Sequence, residues 1–313
     1  MSVSEEPSPS HRKSSEQGER SLAGCVTTDI ADLLAKPLTA GLYLVATPIG
    51  NLADMTLRAL SVLSRADVIY CEDTRHSAKL LQHYAIAAKT RPFHEHNEER
   101  EIERAISDLE SGKRIAMISD AGTPLLSDPG FKLVRAAAAA GVPVISIPGP
   151  SAALAALTAS GLPTDSFFFA GFLPPKQAAR RARLVELSQI PGSLVIFEAP
   201  HRVAEALADM ADVLGERAAV IARELTKLHE DIVRGSLRTL AEATFGETLK
   251  GEIVLVVGPG RAEPVSDETI NARLAEALEG MSLKDAAKAL ADELGVPKAR
   301  IYGLGIKAKG RSP

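Results

Sequence analysis

Short apolar runs alternate with segments of helical period from Gly41 to Gly258, and that rhythm restricts the chain to few folds. The first series is "LYLVAT" 42–47, "DVIYCE" 67–72, "RIAMIS" 114–119 and "VPVISI" 142–147, with helical patterns at 54–65, 75–84, 97–111, 130–140 and 151–160 between them. Strands separated by helices pair most easily in parallel, through crossovers that cover the sheet with helices. A second series follows: "SFFFAGF" 166–172, "SLVIFEA" 193–199, "AAVIARE" 218–224, "EDIVRG" 230–235 and "EIVLVVG" 252–258. Its last strands lie close in sequence around one short helix, 236–243, so hairpins and antiparallel pairs are expected here. The expected fold class is α/β, with one α/β domain over 41–162, a second over 163–262, and the boundary near Leu162-Pro163.

After residue 262 the strands stop. Helical patterns at 267–279, 283–294 and 298–306 predict a small helical module over 263–313. The string "SLKDAAKALADELGVPKARIYGLGIK" has helix-turn-helix outline. Within 281–313 seven Lys/Arg stand against three acids, in a chain whose net charge is -4. A positive surface for nucleic acid is therefore local rather than global.

Residues 1–40 read as a disordered tail: 1–20 are polar and Ser/Glu-rich, and "LAGCVTTDIADLLAKPL" predicts at most a short, weak helix. No charged start leads into an apolar signal core, and the expected location is cytoplasmic. The uncharged stretch between Arg135 and Asp165 is cut by Gly141, Pro143, Pro148, Gly149 and Pro150, so no membrane helix is expected. Cys25 and Cys71 are the only cysteines, without metal-ligand spacing, and no metal is expected.

Ligands of open α/β sheets collect where strand carboxyl ends open into loops. Three such loops, "ATPIGN" 46–51, "SDAGTPLLSDPG" 119–130 and "IPGPSA" 147–152, are rich in Gly and Pro and contain neither Lys nor Arg. They fit neither a phosphate-binding loop nor a dinucleotide fingerprint. Asp120 and Asp128 suit hydroxyls or a cationic group, so an adenosine-like ligand with a positive centre and no phosphate fits better than NAD or ATP. Asp120 and Thr123 are expected to contact the ligand; Asp128 is expected to cap the next helix, with Pro129 at its first position.

The second series offers polar groups at strand ends: Glu198, His201 and Arg202 in "FEAPHR", and Arg223, Glu224, Lys227, His229 and Glu230 in "ARELTKLHE". A lone carboxylate ending an apolar strand is costly unless it is paired or used, which singles out Glu198. In "PPKQAARRAR", Lys176, Arg180, Arg181 and Arg183 form a candidate phosphate-backbone patch or, equally, a solvated helix face.

Seven motifs, "LVATPIGNLADMTLRAL", "YCEDTRHSAKLL", "SDAGTPLLSDPG", "IPGPSAALAAL", "FFFAGFLP", "FEAPHR" and "ARELTKLHE", together resemble the small-subunit ribosomal RNA branch of the tetrapyrrole methylase superfamily, from about Gly41 to Lys307. The resemblance implies two α/β domains with a cofactor cleft between them, and a helix-turn-helix module that binds RNA through Lys284, Lys298 and Arg300. It implies methyl transfer from S-adenosylmethionine to the ribose 2′-hydroxyl of a cytidine in 16S rRNA at the decoding centre, by a homodimer acting on rRNA or the small ribosomal subunit. Carried over by motif, the cofactor contacts are Pro48, Ile49, Asp120, Gly122, Thr123, Leu126, Ser151, Ala152, Phe197, Ala199, Ala222 and Glu252. Where many members have Gly-Asp-Pro, this chain has Gly122-Thr123-Pro124 and loses one acid. The candidate catalytic group is Glu198 as proton acceptor, with His201, Arg223 and Lys227 orienting the ribose and its phosphate. The rivals are a precorrin-type C-methyltransferase and a non-catalytic RNA-binding protein.

Overall fold

The computed structural model describes residues 21–247, 249–260 and 266–309. The described residues up to Gly260 form one compact unit, and those from Ser266 onward a second.

The first unit holds two five-stranded sheets. In the first, β1 (Gly41–Val45), β2 (Val68–Cys71), β3 (Thr90–Pro92), β4 (Arg114–Met117) and β5 (Val144–Ile147) are all parallel, in the order β3-β2-β4-β1-β5. Period-two alternation buries both faces. Tyr43, Val45, Ile69, Cys71 and Ala116 pack into one apolar cluster, and Leu42, Val68, Tyr70, Ile115 and Met117 into another. The crossovers are α2 (Leu57–Leu63), α3 (Thr74–His83), α4 (Glu98–Glu110) and α5 (Phe131–Ala139).

In the second sheet β6 (Phe167–Phe172), β7 (Ser193–Glu198), β8 (Ala218–Arg223), β9 (Asp231–Ser236) and β10 (Ile253–Val257) are ordered β6-β7-β10-β8-β9. β6 and β7 are parallel, while β10 runs antiparallel to β7 and β8, and β8 antiparallel to β9. One face is covered by α7 (Gln177–Ser188), α8 (Val203–Leu214) and α9 (Leu237–Thr244), which bury Leu184, Leu187, Leu207 and Leu240 there. The other face receives α6 (Ala152–Ser160), whose Ala153, Ala156 and Leu157 pack with Ile49 against Val195, Val220, Ala222 and Val254. A helix that follows the first sheet in sequence therefore packs on the second. The β5–α6 loop is carried to the interface of the two sheets.

Two sequence expectations are corrected. The stretch read as part of a disordered tail contains α1 (Leu22–Ala35), capped by Ser21, whose hydroxyl oxygen accepts from the Gly24 amide at 3.1 Å. None of its residues is buried, so no apolar stripe announces it. Its end is held by the Arg65 guanidinium, which donates to the Lys36 carbonyl. Residues 1–20 lie outside the described residues. Strand β3 is absent from the sequence expectations: it is three residues long and contains Arg91 and Pro92, so it has no apolar run to read.

The second unit comprises α10 (Asp267–Leu278), α11 (Leu283–Leu294) and α12 (Lys298–Lys309), closed around Ile270, Leu274, Ala286, Ala287, Leu290, Val296 and Ile301. Gly295, at φ 63°, ends α11 in the left-handed conformation that lets three residues turn the chain into α12. No helix among the described residues is long and apolar enough to cross a membrane.

Candidate active site

The three Gly/Pro loops are tied to one another by hydrogen bonds. Thr47 and Gly122 exchange backbone bonds of 2.9 and 3.0 Å, and the Thr47 hydroxyl donates to the Ser119 carbonyl at 3.2 Å. The Thr123 hydroxyl donates to the Pro150 carbonyl at 3.1 Å, joining the second loop to the third. Gly122 sits in this seam at φ 78°, where a Cβ would come 3.2 Å from the Ile49 side chain. Leu125 and Ser127 hold φ of 75° and 69° without being glycine, a strained conformation that persists only where surrounding bonds over-determine the loop.

Between these loops and the second sheet lies a cavity of about 400 Å³. The loops contribute Ile49, Asp120 to Thr123, Leu126 to Asp128, and Ser151 with Ala152. Phe172, Phe197 to Pro200, Ala222, Leu225 and Gly251 to Val254 form the facing wall. Of the expected cofactor residues, all but Pro48 line this cavity; Pro48 lines a second, smaller one. The lining contains four carboxylates, Asp120, Asp128, Glu198 and Glu252, and no Lys, Arg or His. Phe197 is flanked edge-on by Phe169 and Phe172, with ring centroids at 4.9 and 5.6 Å, which makes part of the wall aromatic.

Asp128 corrects an expectation. Helix α5 starts only at Phe131, and its cap position is Gly130 at φ 121°. Asp128 therefore caps nothing and stands half-buried in the cavity wall. Burial, with repulsion from Glu72 and Asp120, pushes its carboxyl up to about 6 against the opposing hydrogen bond of Ser119. Asp120 accepts a hydrogen bond from the Asp73 amide at 3.2 Å, which fixes it between the second loop and α3.

The expected catalytic group is not brought together. Glu198 belongs to the lining, but its side chain is inaccessible to solvent. Its carboxylate accepts from the Ala199 amide at 2.8 Å and lies 3.3 Å from the Arg202 guanidinium. Burial raises its pKa while the Ala199 amide and Arg202 oppose the rise. It braces the 197–200 wall from behind. His201, Arg223 and Lys227 lie outside the lining. Arg223 pairs with Asp231 at 3.3 Å, and Lys227 with Glu224 at 2.7 Å and Glu252 at 3.2 Å. The stem of Lys227 occupies the space a Cβ at Gly50 would need, so it supports the first loop.

The "PPKQAARRAR" patch is also corrected. Arg180 is 1% exposed, with its guanidinium 2.7 Å from Asp209 and 3.4 Å from Glu205. Arg181 pairs with Asp209 and Asp212, both at 2.9 Å, and Arg183 with Glu186 at 2.6 Å. These arginines fasten α7 to α8 or are neutralised on their own helix; Lys176 remains exposed ahead of α7. In the second unit, Lys284 and Lys298 are exposed and line one shallow hollow with Tyr302. Arg300 pairs with Asp267 at 2.7 Å.

Sequence reasoning missed Phe172 and Leu225 in the cavity wall, and set Asp128, suited to a cationic group, aside as a helix cap. Asp128 shares a loop with Asp120 and Phe172 ends an apolar strand, so both were visible as positions, but not the direction in which they face.

The chain is similar to proteins of known family. Residues 41–241 match the family described as Tetrapyrrole (Corrin/Porphyrin) Methylases, and residues 263–309 match the RsmI C-terminal HTH domain. Proteins named ribosomal RNA small subunit methyltransferase I are similar over most of their length. That of Mesorhizobium japonicum is 48% identical over 283 residues, 90% of this chain and 96% of its own. That of Pseudomonas aeruginosa is 47% identical, over 88% of this chain and all of its own. Among solved structures, a cobalt precorrin-4 methyltransferase (17% identity, TM-score 0.54, 69% of this chain and 94% of that one) and a diphthine synthase (16%, 0.53, 69% and 89%) have the same fold. The chain belongs to the tetrapyrrole methylase family, in the group of the small-subunit ribosomal RNA methyltransferases I.

Proposed function

We propose that this methyltransferase moves the methyl group of S-adenosylmethionine to the ribose 2′-hydroxyl of a cytidine in 16S rRNA, at the decoding centre of the small subunit. The observation that carries the cofactor reading is the lining of the main cavity: apolar and aromatic walls, no cation, and two carboxylates, Asp120 and Asp128, with no ion-pair partner among the described residues, Glu198 and Glu252 being paired with Arg202 and Lys227. Such a lining repels phosphates and favours a ligand with positive charge. S-adenosylmethionine has that character, and supplies a methyl already activated on a sulfonium. Asp120 and Asp128 would face its cationic end, while Ile49, Phe197, Ala222 and Val254 supply apolar surface.

Alignment of the acceptor oxygen with the methyl then supplies most of the acceleration, as expected when the leaving group is already activated. Glu198, sealed against Arg202, is a positioning residue for the 197–200 wall. The same negative lining disfavours a polycarboxylate tetrapyrrole as substrate. Lys284 and Lys298, beside Tyr302, are the RNA contacts of the C-terminal unit. A homodimer belongs to this reading, with the exposed Phe131 and Leu154 as apolar surface for a second copy, and sedimentation of the full chain as a monomer removes it.

Calorimetric titration tests the cofactor reading. S-adenosylmethionine and S-adenosylhomocysteine are expected to bind with micromolar-range affinity, and ATP at least about 100-fold more weakly, because its phosphates meet Asp120 and Asp128 with no cation in the lining to offset them. Equal affinity for ATP contradicts the reading.

A further inference from the structure

A second cavity, of about 290 Å³, lies on the other side of the first loop. Its lining comes from that loop (Pro48, Leu52), from α3 (His76, Ser77, Lys79, Leu80) and from the end of β4 with the loop after it. Asp120 belongs to the lining of both cavities, so they adjoin at this residue.

The two differ in charge. The main cavity has no cation, whereas this one has Lys79 and His76, both exposed and neither side chain engaged in a hydrogen bond or ion pair among the described residues. That freedom distinguishes them from Arg75, Arg180, Arg181, Arg183, Arg223 and Lys227, each neutralised by a carboxylate. Between them on α3, the Ser77 hydroxyl is buried against the Cys71 thiol. Two unpaired cationic or imidazole donors over an apolar floor of Pro48, Leu52 and Leu80 make a site for a group that is anionic at one end and apolar at the other.

We propose that this cavity holds the RNA nucleotide next to the methyl acceptor, with its phosphodiester on Lys79 and His76 and its base or sugar against Pro48, Leu52 and Leu80. The inference rests on the rRNA reading above and locates the strand relative to the cofactor. An acceptor hydroxyl entering the main cavity brings its phosphates to a negative rim. The adjoining cavity offers the compensating positive charge.

The test uses the full-length double variant Lys79→Gln/His76→Gln with unmodified small subunits. The KM for subunits is expected to rise about tenfold or more, with the S-adenosylmethionine Kd and the melting temperature unchanged. The slope of log KM against log salt should shrink by about 0.7 for each phosphate that is no longer neutralised. Lys79→Arg, which keeps the charge, should stay near wild type. If wild-type enzyme methylates subunits and the double variant matches it in KM and salt slope, the second cavity does not hold RNA. An acidic peptide that competes with wild type, and no longer competes with a double variant that still binds subunits normally, assigns the site to protein and equally overturns the proposal. Failure of the wild type itself to methylate subunits overturns the rRNA reading and this proposal with it.

Discussion

Asp128→Asn is expected to weaken S-adenosylmethionine binding by about 10- to 100-fold at pH 7.5, the value of a charge-assisted hydrogen bond in a partly desolvated site. The substitution preserves shape and removes only the charge that the loop presents to the cavity. A pH dependence follows from the carboxyl's elevated value of about 6. Above it the carboxylate is ionised and attracts a cation; as pH falls through 6 it protonates, and wild-type affinity should approach that of the variant. Unfolded, the same group titrates near 3.8, so the folded chain binds the extra proton between those two values. Asp128 therefore costs stability as pH rises from about 4 to 6, and the full cost is present above 6. Without cofactor, the Asn variant should melt higher than wild type at pH 7.5, and the difference should vanish below about pH 4. Equal cofactor affinities at pH 7.5 contradict this assignment.

The second large effect is on stability. Arg180 and Asp209 are both almost wholly buried and 2.7 Å apart. Arg180→Ala removes the guanidinium and leaves Asp209 inside with Arg181 and Gln177 as remaining partners. Breaking a buried pair from one side costs about 3–5 kcal/mol, and the surviving partners place this case at the low end. For a unit of this size about 3 kcal/mol lowers the melting temperature by roughly 6–12 °C. Thermal denaturation measures it. In contrast to the Lys79→Gln/His76→Gln variant, the salt slope of subunit methylation should not move, because this arginine cannot reach a phosphate. A lowered slope with normal stability restores Arg180 to the RNA surface.

The contrast between these residues shows how far the sequence could be read. Strands with continuous apolar runs, such as Gly41–Val45 and Ile253–Val257, are legible because both of their faces are buried, so nearly every side chain is apolar. The loops after β1, β4 and β5 were legible because Gly and Pro without Lys or Arg state both a backbone shape and a charge preference. Charge patterning failed where direction mattered. Arg180 and Arg183 both sit on α7, and nothing local says that one points at Asp209 on α8, 29 residues on, while the other meets Glu186. Asp128 failed for a related reason: Asp-Pro ahead of an apolar segment is a sound cap signal, but two left-handed residues, Leu125 and Ser127, turn the loop, and Gly130 starts the helix instead. Helix α1 was read as at most short and weak, inside a disordered tail, because it buries nothing and so leaves no stripe in the sequence.

The chemical identity of the product decides between methylation of a ribose, of a base and of a tetrapyrrole. Full-length protein, methyl-labelled S-adenosylmethionine and small subunits lacking the modification should yield label in a single nucleoside after complete digestion, 2′-O-methylcytidine, and in one decoding-centre fragment of 16S rRNA. Label in a base-methylated nucleoside, or none in RNA while a tetrapyrrole is methylated, contradicts it.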